Sequence, residues 1–377
     1  MPQNLDSDTR NIILKCGSCS IAVLSTASLY AQVVVIPRLR SNPIKSKLPA
    51  WNSPPLLLGC LGSLALMLIA SALLTQTFIL SSPKDYNDDS FVSRDLSSSI
   101  NFCEEDFADS DYIAEPANTA SSLASYCPLA LLGMYGTPRK EWATRIAGQK
   151  RFAIAYIALM AIGLGSTTLH ALLTANAQGG DELPMLWFTA CLAFCVIDII
   201  IKGNAIPPLK NNSGRWLHWG VSTSVVVATA LYTMLRGSFV FFYIMFLLYC
   251  WVAIAGIITI CFVLKWNDDT FRANVLLPLA VCTAWLAIFA LMAWLSELVL
   301  CKEVTHNFVF GTGLAPWIWN RAVHPLWHCA SALVAWVLIQ ILLACQGLQR
   351  GWGEPRLRWY GAPYVTFYKP NTRIKRA

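Results

Sequence analysis

Nine separate apolar runs punctuate this 377-residue chain, and their length limits the fold more than any other feature. Seven occupy residues 114–135, 152–174, 183–201, 216–235, 238–264, 273–299 and 322–345, and two lie upstream at 17–36 and 55–80. About 20 apolar residues in a helix cross the ~30 Å hydrocarbon core of a bilayer. A backbone inside that core must satisfy its own hydrogen bonds, so a run of this length reads as a helix. Charged residues make up 13% of the chain and hydrophobic ones 56%, where a soluble domain carries roughly 25% charged. The fold class that follows is an all-α integral membrane protein. It is a seven-transmembrane-helix bundle with one or two additional N-terminal apolar helices, the run at 17–36 being the weaker because Ser, Ala and Thr dilute it.

The distribution of charge sets the direction of the helices. Arg139, Lys140, Arg145, Lys150 and Arg151 separate the first two core runs, and Lys202, Lys210 and Arg215 separate the third from the fourth. Lys265 and Arg272 separate the fifth from the sixth, and seven more basic residues follow residue 349. The alternate loops are poor in Lys and Arg. Cytoplasmic loops concentrate positive charge, so the C-terminus is expected in the cytoplasm and the acidic stretch before residue 114 on the opposite side. The basic tail suits anionic lipid headgroups and calls for no nucleic acid. Of the 13 cysteines most lie inside runs and behave as small hydrophobes. Cys103 and Cys301 are the two that this topology sends outside, where it permits a disulfide.

Polar side chains at the ends of these runs are expensive and mark function. His324 and His328, four residues apart at the entry of the last run, project from one helix face. That spacing lets one helix give two nitrogens to a single zinc ion. His170 closes the second core run, and the charge-derived orientation brings it to the same membrane side. Three nitrogens leave a fourth position for water, whose pKa zinc lowers to about 7. Ser166 lies one turn before His170 and shares its face, although a small residue there also serves close helix packing, as Gly163 and Gly165 do. Asp181 has no adjacent Lys or Arg and is either a solvated loop acid or the base of a metal site. Glu182 and Glu297 read as interfacial acids, Asp198 as one balanced by Lys202, and Trp327 as a packing aromatic.

These motifs, in their order and separation, resemble the alkaline ceramidases, seven-helix zinc amidases in a superfamily with the progestin and adipoQ receptors. The likeness covers about residues 99–346. It is carried by Asn101-Phe102-Cys103-Glu104-Glu105-Asp106-Phe107 with Ile113-Ala114-Glu115, by Gly165-Ser166 and His170 with Asp181-Glu182-Leu183-Pro184-Met185, and by His324, Trp327 and His328. The resemblance implies zinc ligands at His170, His324 and His328, a serine at Ser166 that holds the carbonyl or its oxyanion, and a proton-accepting carboxylate at Asp181. It further implies calcium ligands at Asn101, the Phe102 carbonyl, Glu104, Asp106 and Glu115, an all-oxygen set suited to that ion, and a Cys103–Cys301 disulfide. The family usually has Asp-Trp where this chain has Asn101-Phe102, and Asn in place of Asp106, an exchange that keeps the carboxylate count. Leu169 replaces a common Phe, and Pro325 is expected in the first turn of its helix, where proline is tolerated.

The activity so implied is hydrolysis of the N-acyl amide of ceramide, dihydroceramide or phytoceramide to a sphingoid base and a fatty acid. A receptor or scaffold with a structural zinc, and a hydrolase for another lipid amide or ester, remain alternatives. The expected organisation is an N-terminal extension over 1–95 with a candidate transmembrane helix at 55–80, a catalytic domain over 96–350 and a basic cytoplasmic tail over 351–377. The tail reads as irregular. The endoplasmic reticulum is the expected membrane, with the Golgi second and the metal site towards the lumen.

Overall fold

A computed structural model describes residues 53–81, 96–100, 102–135, 139–202, 213–235, 238–264, 266, 269–306, 314–359 and 361–368. The run at 17–36, Asn101, the side chain of Cys301 and the end of the tail lie outside the described residues. The architecture is helical throughout, apart from one hairpin. In chain order the helices are α1 (Ser53–Ser81), α2 (Pro116–Tyr135), α3 (Arg139–Leu172), α4 (Ala175–Lys202), α5 (Ser213–Met234) and α6 (Phe239–Phe262). The short turn Asp269–Phe271 and the π-helical stretch Arg272–Leu276 lead into α7 (Leu277–His306), followed by α8 (Leu314–Gln349). Among the described residues six helices are long and apolar enough to cross a membrane, and Trp219–Met234 in α5 forms a shorter apolar helix. The protein is an all-α membrane protein.

The helices differ in what surrounds them. The apolar window of α8 is 83% buried and that of α6 only 28%, so α8 runs through the middle of the bundle while α6 offers its Val240, Ile244 and Leu248 outward. Apolar side chains gain nothing by leaving lipid for protein, so small residues and polar contacts decide how such helices pack. Gly163 of α3 lies against Tyr126 and Cys127 of α2, and Gly133 of α2 lies under the ring of Tyr156, positions where any Cβ would collide. Helix α2 buries a run of polar side chains: Asn118, Thr119, Ser121, Ser122 and Ser125 are all buried.

The upstream helix α1 packs on α2, α7 and α8. Its Leu56, Cys60 and Leu64 join the main core, and the Cys60 and Cys282 sulfurs approach to 3.3 Å. The stretch that reads as an irregular tail contains an antiparallel hairpin, β1 (Glu354–Trp359) and β2 (Pro363–Tyr368), with Leu357 opposite Val365. Alternation of Pro355 and Leu357 with two arginines carries a strand signal that the Pro- and Arg-rich composition conceals. Gly361 turns the chain at φ 78°, a left-handed conformation that suits glycine. The hairpin docks on the bundle through polar contacts: Trp336 Nε1 donates to the Pro363 carbonyl (2.7 Å), the Val365 amide donates to Gln340 Oε1 (3.0 Å), and Ser63 of α1 donates to the Gly361 carbonyl. Gln340 Nε2 donates to the Tyr156 hydroxyl at 3.1 Å.

Gln340 therefore ties the hairpin to α3 from a fully buried position. Gln340→Leu leaves the Val365 amide and the Tyr156 hydroxyl without this partner, at a cost of about 1–3 kcal/mol for a buried unsatisfied group. The expected outcome is a lower unfolding temperature in detergent, with Gln340→Glu at low pH destabilised less.

Candidate metal centre

The imidazoles of His170, His324 and His328 meet inside the bundle, at the end of α3 and along α8. Their ring centroids are 4.9 Å (170 to 324), 5.0 Å (170 to 328) and 4.3 Å (324 to 328) apart. One ligand atom from each lies within 4.8 Å of the others, and all three residues are buried. Spacing of four on one helix explains the α8 pair; the third ring arrives because α3 and α8 both flank α2.

Each ring is held by an oxygen at its far nitrogen. His170 Nδ1 meets Glu115 Oε2 at 2.5 Å, and His324 Nδ1 meets Glu297 Oε2 at 2.7 Å. His328 Nδ1 meets Ser121 Oγ at 2.8 Å and Ser122 Oγ at 3.1 Å. A carboxylate accepts hydrogen bonds and does not donate them, so Nδ1 of His170 and His324 carries the proton. Ser121 directs its own hydrogen to the Asn118 carbonyl (3.0 Å), which leaves its oxygen to accept from His328. All three Nε2 atoms are thereby unprotonated, and that of His170 is buried with no hydrogen-bond partner. Three neutral imidazoles fixed in this tautomer form a donor set that fits zinc.

Ser166 and Asp181 lie beside this cluster. Gly165 rests directly on the backbone of Gly180 and Asp181, and this closest approach of α3 to α4 sets the serine next to the carboxylate. The Ser166 hydroxyl lies beside the Asp181 side chain and 3.4 Å from His328 Nε2. Ser122 donates to Ser166 at 2.9 Å. Neither Ser121 nor Ser122 stands out in the sequence, because their spacing matches no ligand motif. The one signal is the density of serine in an otherwise apolar helix.

The acidic segment folds over the outer end of the cluster. The Ala114 and Glu115 amides donate to the carbonyls of Ala171 and His170 (3.0 Å each), and Arg321 at the head of α8 pairs with Asp109. Phe102 is thereby laid across two of the imidazoles, 4.1 Å from His324 and 4.7 Å from His170. Glu104 accepts from the Ala117 and Asn118 amides (2.8 Å each) at the start of α2. That position suits a carboxylate, since helix N-termini present unpaired N–H groups. Burial first, and the Glu115 carboxylate second, push Glu104 up to about 8. Glu104, Asp106 and Glu115 thus share one electrostatic neighbourhood.

Three expectations need correcting. Glu297 is not an interfacial acid: it is 3% exposed and holds His324 with one oxygen and the Cys103 amide with the other (3.1 Å). Glu182 is 1% exposed and accepts from Gln178 Nε2 at 2.8 Å. Both acids lie deeper than expected because α7 and α4 extend past the apolar runs that announce them. Pro325 lies well inside α8, which begins at Leu314 and not near residue 322. Asp198 does pair with Lys202, at 2.7 Å.

Two adjoining cavities lie beside the cluster. The upper, ≈ 990 Å³, is lined by Ser166, Asp181, Glu182, His324 and His328 together with aromatic rings of α6 and α7. The lower, ≈ 1500 Å³, is almost wholly apolar and runs between α4, α6, α7 and α8. Tyr126, Met185 and Trp327 line both.

The sequence profile described as Ceramidase matches residues 94–366. The chain belongs to the ceramidase family. An alkaline ceramidase of Arabidopsis thaliana is 25% identical over 280 residues, covering 74% of this chain and 96% of the plant protein. Alkaline ceramidase 3 of Mus musculus is 31% identical over 101 residues, 27% of this chain and 35% of the mouse protein. The ceramidase match begins after α1 and extends to the hairpin, so the hairpin falls within the family's reach and α1 outside it. As a ceramidase-family member the chain is a hydrolase with a lipid substrate, and its buried three-histidine group could hold a metal ion.

Glu115 gives the metal centre a specific test. Removing a carboxylate that orients a ligand histidine typically weakens metal affinity about 10–100-fold. Glu115→Gln should therefore release zinc to a competing chelator at correspondingly lower chelator concentration than the parent protein. Equal retention by both would show that Glu115 does not orient His170.

Proposed function

We propose that this protein is a zinc-dependent ceramidase, cleaving the amide of an N-acyl sphingoid base to the free base and a fatty acid. The observation that carries the reading is the coincidence of three imidazoles, each with its Nε2 unprotonated, and neighbouring Ser166 and Asp181 beside an apolar cavity. A structural metal site requires the first and has no use for the second. Zinc held by His170, His324 and His328 supplies a Lewis acid and acidifies water.

The remaining work falls to the chain's own groups. Asp181 accepts a proton as water attacks the amide carbon and returns it to the departing amine, the two-way transfer that hydrolysis of an amide needs. The Ser166 hydroxyl gives its hydrogen to the amide oxygen as negative charge develops there. Ser122 donates to Ser166 and so keeps that oxygen in place. Phe102 closes the outer side against bulk water. The apolar cavity takes the lipid tails. Glu115 and Glu297 hold their imidazoles and leave the chemistry to others.

The family's calcium site falls on the same acidic segment. Glu104, Asp106 and Glu115 gather there, and Glu115 keeps one oxygen buried without a hydrogen-bond partner, which suits a cation of high coordination number. In this reading calcium pins the segment that carries Phe102, with the Phe102 carbonyl and Asn101 completing the set. A Cys103–Cys301 disulfide would pin it a second time, since the Cys103 amide already holds Glu297, one helical turn before Cys301. The C-terminus in the cytoplasm, and an endoplasmic reticulum membrane with the metal centre facing its lumen, complete the proposal.

Purified protein incubated with ceramide and zinc should release fatty acid. His324→Ala should abolish release, Asp181→Asn should lower kcat by about 10²–10⁴, and Ser166→Ala should lower it by about 10²–10³. Zinc retention without turnover would leave a structural site and sink the catalytic reading. Calcium should raise the unfolding temperature of the parent protein and not that of Asp106→Ala; an equal shift in both would remove the calcium site.

A further inference from the structure

Where the two cavities join, a pair of hydroxyls interrupts an otherwise apolar wall. Tyr126 of α2 and Ser331 of α8 approach to 2.7 Å between oxygens. Tyr126 lines both cavities, and its ring lies 6.3 Å from that of His328. Ser331 stands one helical turn from His328 and lines the lower cavity. Tyr126 thus stands on the wall that both cavities share, the neck between them.

Counting hydrogens fixes what the pair can bind. Ser331 donates its single hydrogen to the carbonyl of Trp327 at 2.6 Å. Its oxygen must then accept from Tyr126, which uses up the phenol's only hydrogen. A phenol oxygen also accepts, and Tyr126 Oη has no second partner among the described contacts, although Tyr126 is only 4% exposed. The neck therefore offers an acceptor and no donor. Other hydroxyls in the lower cavity, Thr189 and Thr283, each bond a carbonyl of their own helix at 2.9 and 2.8 Å and make no contact across helices.

We propose that the Tyr126–Ser331 pair is a specificity subsite that reads a hydroxyl on the lipid close to its scissile amide. The proposal deepens the ceramidase reading and rests on it. A lipid hydroxyl entering this dry neck loses its water, and Tyr126 Oη restores the hydrogen bond; a plain methylene there leaves the acceptor bare. Two lipid sources carry such a group beyond what every ceramide has: a 4-hydroxyl on the sphingoid base and a 2-hydroxyl on the acyl chain. Both lie within a few bonds of the amide, as the nearness of Tyr126 to His328 requires.

The test compares three substrates of equal chain length: a saturated ceramide without extra hydroxyls, its 4-hydroxylated form and its 2-hydroxyacyl form. In purified parent protein kcat/KM should favour one hydroxylated form over the plain one by about tenfold, the factor one buried hydrogen bond of ordinary strength gives. The favoured form identifies the source. In Tyr126→Phe that ratio should fall to near unity, while Ser331→Thr, which keeps the acceptor for the phenol, should preserve it. A readout independent of turnover is the rise in unfolding temperature caused by the free hydroxylated product against its plain counterpart, a difference expected in the parent and lost in Tyr126→Phe. Should Tyr126→Phe fail to fold, Ser331→Ala serves: it frees the phenol's hydrogen, so the preference should narrow. A parent enzyme indifferent to hydroxylation, or a variant that slows all three substrates alike, overturns the subsite. A parent enzyme that cleaves none of the three overturns the ceramidase reading itself.

Discussion

The pairing of each buried imidazole with an oxygen from another element is the interaction on which the rest of this structure depends. An unpaired polar group inside a membrane bundle is costly, and three histidines with two glutamates in one place would be untenable separately. Paired, they satisfy each other: Glu115 holds His170, Glu297 holds His324, and Ser121 with Ser122 holds His328. Each bond also crosses between elements. The cluster thereby locks α2, α3, α7 and α8 in one arrangement, and apolar packing between lipid-compatible surfaces could not specify that arrangement alone. The same bonds fix the protonated nitrogen of every ring. Fold and chemistry share one set of contacts.

This dual role accounts for the character of α2. A helix that only filled space would be apolar, whereas this one buries Asn118, Ser121, Ser122 and Ser125. Asn118 Nδ2 donates to Glu115 at 3.2 Å, and its backbone carbonyl accepts from the Ser121 hydroxyl at 3.0 Å. Its N-terminus receives Glu104 from the acidic segment. Helix α2 thus carries no metal ligand, yet it orients two of the three candidates, His170 through the Glu115 that precedes it and His328 through its serines.

How much of this is legible in the sequence depends on the range of the interaction. His324 and His328 are visible because ligand spacing on one helix is local. The placement of His170 follows from alternating charge, a rule that works along the whole chain. Ser166 beside His170 follows from helical period. Its contact with Asp181 does not, because it depends on the Gly165–Gly180 crossing of two helices. The burial of Glu297 and Glu182 is hidden for a related reason: hydropathy ends a helix where polar residues begin, and a polar residue paired across the bundle continues it. The hairpin over 354–368 was missed because its partners, Trp336 and Gln340, lie on a helix whose sequence signals only burial.

Charge bookkeeping connects the site to its surroundings. Three neutral imidazoles bring no charge, while Glu115 and Glu297, as carboxylates accepting from Nδ1, bring two negative charges into a place where uncompensated charge is expensive. A divalent cation held at the Nε2 side would cancel that sum. In the proposed mechanism, with such a cation in place, Asp181 would be the acid beside Ser166 that is not committed to an imidazole. The two glutamates are already committed to imidazole hydrogens and cannot serve. In the proposed mechanism, electrostatic balance thus separates the carboxylates that would hold ligands from the one that would be left to move a proton.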